Sequence, residues 1–301
     1  MKVWIPHADA LPLLGELPEA VTVEVFDGGE PPSDPAGVEF WVPPSLSSDP
    51  VGMVESMPAL RAVQLLSAGA EVWVPHVPEG VALCDNKGAH TEVTAEWVLA
   101  ATLASVRELS FFARKQLERE WSPRTAGTLA GRTALVLGAG SIGESVARRF
   151  EACGAGVTKI ARTARPGVGT LADLPEILPD VDIVVVVVPL TDATSGLVDE
   201  GFLARMKDGA LLVNAARGKV VDTDALTAEV ASGRLRCALD VTDPEPLPSD
   251  HPLWGLEGAL ITPHAGGDVE GLLERCYPPV GDQIRRLAAG EPLVNVVEHG
   301  Y

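Results

Sequence analysis

The stretch LVLGAGSIGESVARRF, residues 135–150, decides how this chain folds. Leu135, Val136 and Leu137 close a short apolar run that opens at Thr133. Gly138, Gly140 and Gly143 follow in the spacing G-x-G-x-x-G. Beyond them Val146, Ala147 and Phe150 share one helical face, and Glu144, Arg148 and Arg149 the other. Strand, glycine turn and helix in this order are the context in which the spacing signals a dinucleotide site. Gly138 allows the tight turn, Gly140 lets a pyrophosphate approach the backbone, and Gly143 lets helix and strand pack closely. The helix start, at Ser141 and Ile142, offers free N–H groups and the positive end of the helix dipole to phosphates.

A chain of 301 residues has room for two domains, and its 46% hydrophobic content suffices for real cores. The net charge of -19 argues against nucleic acid or an anionic membrane as partner, since both need basic surface. A small anionic substrate remains compatible through a local basic pocket. Cys84, Cys153, Cys237 and Cys276 lie far apart without ligand spacing, so free thiols in a reducing cytosol and no metal site are expected. The opening MKVWIPHADA has no sustained apolar segment, and the longest apolar run, 183–188, is too short to span a bilayer. A soluble cytoplasmic protein is expected.

Upstream of the glycines, extended pieces are expected at 2–5, 21–26, 40–42, 62–66, 72–74 and 82–84, with a Pro/Ser loop after the third. Weakly helical connections between them suggest a small α/β domain. The piece 62–66 runs into Ser67, Ala68, Gly69 and Ala70, a turn whose N–H groups could receive a carboxylate. From 91 to 119, Val93, Trp97, Leu99, Leu103, Val106 and Leu109 recur at helical spacing. One long helix is expected there, crossing between domains, with an apolar face for a core or a subunit interface.

Downstream, a strand at 157–161 ends at Arg162-Thr163-Ala164-Arg165. A dinucleotide domain that takes NAD carries an acid at this place for the ribose hydroxyls. None occurs here between Glu151 and Asp173. Two guanidiniums and a hydroxyl would instead attract a 2′-phosphate, so NADP is expected as cofactor, with NAD possible. Further strands are expected at 183–188, 210–213, 236–241 and 260–262, alternating with helices as in a doubly wound parallel sheet. The tail at 268–289 reads as helix, and 293–297 as a strand returning to the first domain.

Arg217, Glu245 and His264 each follow the carboxyl end of one of these strands, the edge where open α/β sheets bind ligands. Together they suit one reaction. Arg217 could hold a carboxylate by two parallel hydrogen bonds and polarise a neighbouring carbonyl. His264 could give that carbonyl oxygen a proton as hydride reaches carbon, with Glu245 orienting the imidazole and favouring its charged form. Taken singly, each has a plainer reading as a surface ion pair, a solvated loop charge or a turn cap.

The segments LGAGSIG (137–143), VPLTDATSGLV (188–198), LLVNAARG (211–218), ALDVTDPEPLP (238–248), HPLW (251–254) and TPHAGG (262–267) carry a wider signal. In their order and spacing the chain resembles the D-isomer-specific 2-hydroxyacid dehydrogenase family over nearly its whole length, most closely its glyoxylate/hydroxypyruvate reductases. The resemblance implies two doubly wound parallel-sheet α/β domains. The larger is a Rossmann dinucleotide-binding domain, 98–267. The smaller is a flavodoxin-like substrate domain, discontinuous over 1–97 and 268–301. It implies Arg217, Glu245 and His264 as the catalytic set. It also implies that Val188, Pro189, Thr194, Ala215, Ala216, Asp240 and Gly266 contact the cofactor. Ser67, Ala68 and Gly69 would join Arg217 on the substrate carboxylate. The implied partner is a small 2-oxo or 2-hydroxy acid, and the implied assembly a homodimer through the cofactor domain. The chain departs from the pattern in the missing acid near Arg162 and in Asp268 and Val269, where a threonine is usual. Two other readings fit the same fold. One is a nicotinamide-nucleotide sensor, like the similar C-terminal-binding corepressors; the other is a dehydrogenase of formate or phosphite.

Overall fold

A computed structural model describes residues 1–44 and 51–297; part of the Pro/Ser loop lies outside the described residues. The chain divides into two compact units, Met1–His90 with Glu270–Tyr301, and Thr91–Val269.

The first unit holds β1 (Lys2–Ile5), β2 (Thr22–Val25), β3 (Val38–Trp41), β4 (Ala62–Gln64) and β5 (Ala82–Cys84). They form one parallel sheet in the order β2-β1-β3-β4-β5, the flavodoxin-like order. Alternation along the strands feeds two cores. Val3, Ile5 and Phe40 pack with Cys276, Tyr277, Val280 and Ile284 of the C-terminal helix Leu272–Ala289. Trp4, Trp41 and Val63 pack on the opposite face with Trp73. The helix comes close because Gly281 has no side chain: a Cβ there would sit 2.1 Å from the Leu14 carbonyl oxygen.

Two sequence expectations fail in this unit. Residues 72–74 are not extended. Trp73 and Val74 N–H both donate to Ala70 O in a helical turn, which swings the Trp73 ring onto Trp41 at 5.6 Å. Residues 293–297 form no strand, only a single antiparallel bridge between Val296 and Cys84. There the Gln283 amide grips both the N–H and the C=O of Val294 and holds the tail to the helix instead.

The second unit runs α1 (Thr91–Val106), α2 (Leu109–Glu118), β6 (Thr133–Leu137), α3 (Ser141–Ala152), β7 (Gly156–Ile160), α4 (Leu174–Ile177), β8 (Ile183–Val186), α5 (Glu200–Arg205), β9 (Leu211–Asn214), α6 (Thr223–Ala231), β10 (Arg236–Leu239) and β11 (Ala259–Ile261). Its six strands are parallel in the order β11-β10-β9-β8-β6-β7, a doubly wound Rossmann sheet. The β-branched run of β8 serves both faces: Val184 and Val186 enter one core, Ile183 and Val185 the other. Asp199 and Asp222 cap α5 and α6 by accepting the N–H of Phe202 and Ala225.

The expected single helix over 91–119 is two helices. Glu108 adopts a left-handed conformation (φ 59°), and Arg236 secures the bend by hydrogen bonds to Ser105 O and to the Glu108 carboxylate. All of α1 belongs to the second unit, where Ala95, Val98 and Ala101 pack with Val136, Val146 and Phe150. The division therefore falls at 90/91 and 269/270, against the expected 97/98 and 267/268. Among the described residues no helix is long and apolar enough to cross a membrane.

Candidate active site

The three motif glycines are required for three different reasons. Gly138 has φ 108°, and a Cβ there would lie 2.6 Å from Val187 O. At Gly143 a Cβ would lie 1.8 Å from Gly138 O, so only glycine lets α3 start this close to β6. At Gly140 a Cβ would meet nothing within 4 Å, leaving open space over the backbone. Gly140 is also the N-cap of α3, and no side chain caps that helix. Its first N–H groups, from Ser141 and Ile142, are therefore available to an anion. This cradle fits a dinucleotide pyrophosphate.

The turn after β7 is a tight hairpin in which Arg165 N–H and O pair with Val168 O and N–H. Arg162, Thr163 and Arg165 are exposed in it. The Arg165 guanidinium donates to Ala139 O inside the glycine turn and lies 3.8 Å from Glu144, whose carboxylate also pairs with Lys159 at 2.7 Å. Basic side chains thus stand beside the phosphate cradle. In the loop after β8, past Val188, the Thr194 hydroxyl donates to Pro189 O at 2.6 Å and accepts the Thr191 N–H.

The sheet's carboxyl edge gathers the other expected groups from three adjacent strands. After β9, buried Asn214 braces the Arg217 turn: its Oδ1 accepts the Ala216 N–H, next to Ala215, and its Nδ2 donates to Arg217 O. Gly218 packs so tightly on the loop after β10 that a Cβ would fall 1.9 Å from Thr242 O. That loop carries Glu245. The Arg217 and Glu245 loops are thereby locked together.

His264, after β11, is a non-glycine residue in the left-handed region (φ 53°). Its Nδ1 lies 2.7 Å from Glu245 Oε1, with both side chains about two-fifths exposed. A carboxylate only accepts, so Nδ1 carries the proton of this bond and Nε2 is left to face a ligand. The Asp240 carboxylate is 5% exposed and accepts from Thr262 Oγ1 at 2.6 Å, Ala265 N at 2.8 Å and Gly266 N at 2.9 Å. The left-handed conformation costs about 1–2 kcal/mol. Hydrogen bonds to a charged acceptor contribute about 1.5–3 kcal/mol each, so this set outweighs the strain.

Ser67, Ala68 and Gly69 lie in the first unit. Ser67 Oγ donates to Gly69 O, and the preceding backbone is held by His90 Nε2 on Leu66 O (2.7 Å) and by Asn86 N–H on Ser67 O (2.8 Å). Asn86 and His90 are braces of that turn. Trp254 Nε1 donates to Pro248 O, with its ring half exposed. Burial pushes the thiols of Cys84 and Cys237 up to about 12 and that of Cys276 up to about 11, so none of these three is a thiolate at neutral pH.

Asn214, Gly218 and Thr262 were not singled out from sequence. A buried amide and a glycine flanking the arginine of a strand-end turn were the available signal for the first two. Thr262 has none, because its partner Asp240 is remote in the chain.

Comparison with known proteins shows the family to which the chain belongs. The sequence model for the D-isomer specific 2-hydroxyacid dehydrogenase NAD binding domain matches residues 99–266. D-3-phosphoglycerate dehydrogenase of Mycobacterium tuberculosis is 35% identical over 230 residues, 73% of this chain and 43% of that protein. The chain thus spans less than half the length of such relatives. Glyoxylate reductase of Korarchaeum cryptofilum is 32% identical over 270 residues, 84% of this chain and 81% of that protein. The crystal structure of a D-isomer specific 2-hydroxyacid dehydrogenase from Xanthobacter autotrophicus Py2, in complex with NADPH and MES, matches with a TM-score of 0.84 at 31% identity. It covers 99% of this chain and 97% of that one.

Proposed function

The chain belongs to the D-isomer-specific 2-hydroxyacid dehydrogenase family, and on that premise we propose that it uses NADPH to reduce a small 2-oxo acid, such as glyoxylate or hydroxypyruvate, to the (R)-2-hydroxy acid. The observation that carries this reading is the His264–Glu245 hydrogen bond on the same sheet edge as Arg217. Gly138, Gly140 and Gly143 with the start of α3 hold the pyrophosphate. Bound reduced nicotinamide supplies the hydride. Arg217 holds the substrate carboxylate in a fork of two hydrogen bonds and draws electron density from the adjacent carbonyl. His264 Nε2 gives its proton to the carbonyl oxygen as the carbon is reduced. Glu245 keeps the ring turned for that transfer and stabilises its charge.

Turnover of NADPH across glyoxylate, hydroxypyruvate, pyruvate and bulkier 2-oxo acids tests this reading. Oxidation with one of the small acids is expected. Tight NADPH binding with no turnover of any acid would replace it with the sensor reading.

The NADPH preference rests on Arg162, Thr163 and Arg165, and on NADPH in the Xanthobacter relative. Arg162→Asp removes one charge-assisted contact and adds repulsion. It is expected to weaken NADPH binding by about 10–100-fold, the equivalent of roughly 1.5–3 kcal/mol, and to leave NADH within a few-fold. Titration of cofactor fluorescence checks it; equal losses for both cofactors would refute the assignment.

The homodimer is proposed to form through the second unit. Leu109, Leu117 and Trp121, on and just after α2, are 54%, 84% and 99% exposed, and exposed large apolar side chains suit an interface. Leu117→Glu is expected to turn a dimer into a monomer in sedimentation velocity. A monomeric parent protein would remove this proposal.

A further inference from the structure

We propose that Lys159 is a positioning residue for cofactor choice: by holding the Glu144 carboxylate, it leaves the Arg165 guanidinium to a 2′-phosphate. The proposal rests on the NADPH reading above. Arg162, Thr163 and Arg165 follow β7, whereas Lys159 lies within it. Its backbone carries the arginine hairpin. Lys159 O accepts the Gly169 N–H at 2.9 Å, and Ala161 N–H donates to Gly169 O at 3.0 Å. Its side chain turns instead to the first turn of α3, where Nζ donates to Glu144 Oε2 at 2.7 Å. The other carboxylate oxygen, Oε1, stands 3.8 Å from Arg165 Nη2, beyond hydrogen-bond distance. One carboxylate thus lies between two cations and is hydrogen-bonded to the lysine, not to the arginine. Arg165 donates to Ala139 O, between Gly138 and Gly140, which sets its charge beside the phosphate cradle.

Glu144 competes with a 2′-phosphate for Arg165. Both are anions that fit the guanidinium fork through two parallel hydrogen bonds. Lys159 decides the competition, because an ammonium at 2.7 Å satisfies one carboxylate oxygen and offsets the charge that would draw Arg165 in. Without it, Arg165 has only a short movement to make to close on Glu144 as a bidentate pair, and a phosphate must break that pair in order to bind. The three side chains are partly exposed, 22% for Lys159, 38% for Glu144 and 46% for Arg165. Solvent therefore limits the effect to severalfold, and salt weakens it further. A cofactor without the 2′-phosphate is indifferent to it, since it makes no demand on Arg165.

Lys159→Met, Glu144→Gln and the double variant test this in the full chain. NADPH and NADH dissociation constants are read from cofactor fluorescence, and adenosine 2′,5′-bisphosphate and AMP are compared as competitors of NADPH. None of these needs turnover. The parent is expected to prefer the 2′-phosphorylated member of each pair. Lys159→Met should weaken NADPH and the bisphosphate about fivefold at low salt and less at about 0.5 M salt, with NADH and AMP within about twofold of the parent. Glu144→Gln should bind NADPH at least as tightly as the parent, and in the Lys159→Met background it should restore parent affinity. A merely structural lysine would show no such rescue. Equal loss for both cofactors in Lys159→Met, no rescue in the double variant, or weaker NADPH binding in Glu144→Gln would each overturn the proposal, while the parent's preference would keep the NADPH reading. If Lys159→Met does not fold, Glu144→Gln decides by the direction of its change. A parent that binds the bisphosphate no better than AMP would overturn the NADPH reading itself, and this proposal with it.

Discussion

His264→Ala is expected to lower kcat by about 10³-fold, within the 10²–10⁴ range that positioned general acids contribute. NADPH affinity should stay near that of the parent, because the imidazole bonds to Glu245 rather than to any part of the phosphate cradle. The size follows from what replaces it. With alanine, only water can protonate the developing alkoxide, while Arg217 still orients the substrate. Glu245→Gln should cost less than His264→Ala, since an amide still accepts from Nδ1 but no longer stabilises the ring's charge. Stopped-flow loss of reduced-cofactor absorbance measures both. Unchanged turnover in His264→Ala would remove the histidine from the proton-transfer step.

The second large effect is expected at Gly218. The nearest atom to an added Cβ is the Thr242 carbonyl oxygen at 1.9 Å, with the Asp243 nitrogen at 2.6 Å. Both are backbone, so no side chain can rotate aside. Gly218→Ala must separate the Arg217 turn from the loop that leads to Glu245, or distort one of them. Overpacking of this kind destabilises by about 1–3 kcal/mol. Displacement of a guanidinium clamp by an ångström removes about 10²-fold of rate. The expected outcome is a lowered Tm together with a fall of kcat/KM of at least 100-fold. Gly255→Ala, where an added Cβ meets nothing within 4 Å, is the matched control and should behave as the parent. Parent-like kcat/KM in Gly218→Ala would show that the two loops do not need this contact.

Much of the fold was legible because its signals are local. The glycine turn reads from six residues, 138–143, set between a strand and a helix. The run at 183–188 declares a strand buried on both faces. Two of the failures share one cause, a long-range contact that overrides local pattern. The periodicity through 91–119 continues across Arg107 and Glu108, and nothing there marks a break. The bend is held by Arg236, from a strand far along the chain. Val72 and Val74 suggest an extended piece, yet the backbone there makes a helical turn on Ala70 O that sets the Trp73 ring against the distant Trp41. The site divides in the same way. Arg217, Glu245 and His264 were visible as strand-end residues, and the arginine turn as a missing acid. The bracing of Asp240 was hidden because its donors lie in the loop after the next strand. A sequence shows a carboxylate but not what fills its lone pairs.

The most direct single measurement is the fate of the hydride. The protein is incubated with hydroxypyruvate and NADPH deuterated at both positions of nicotinamide C4, and the product is analysed by mass spectrometry and chiral chromatography. One deuterium at C2 of an (R)-2-hydroxy acid is the expected result. Cofactor that keeps both deuteriums, with hydroxypyruvate and the other small 2-oxo acids recovered unchanged, would contradict the assignment as a 2-oxo acid reductase.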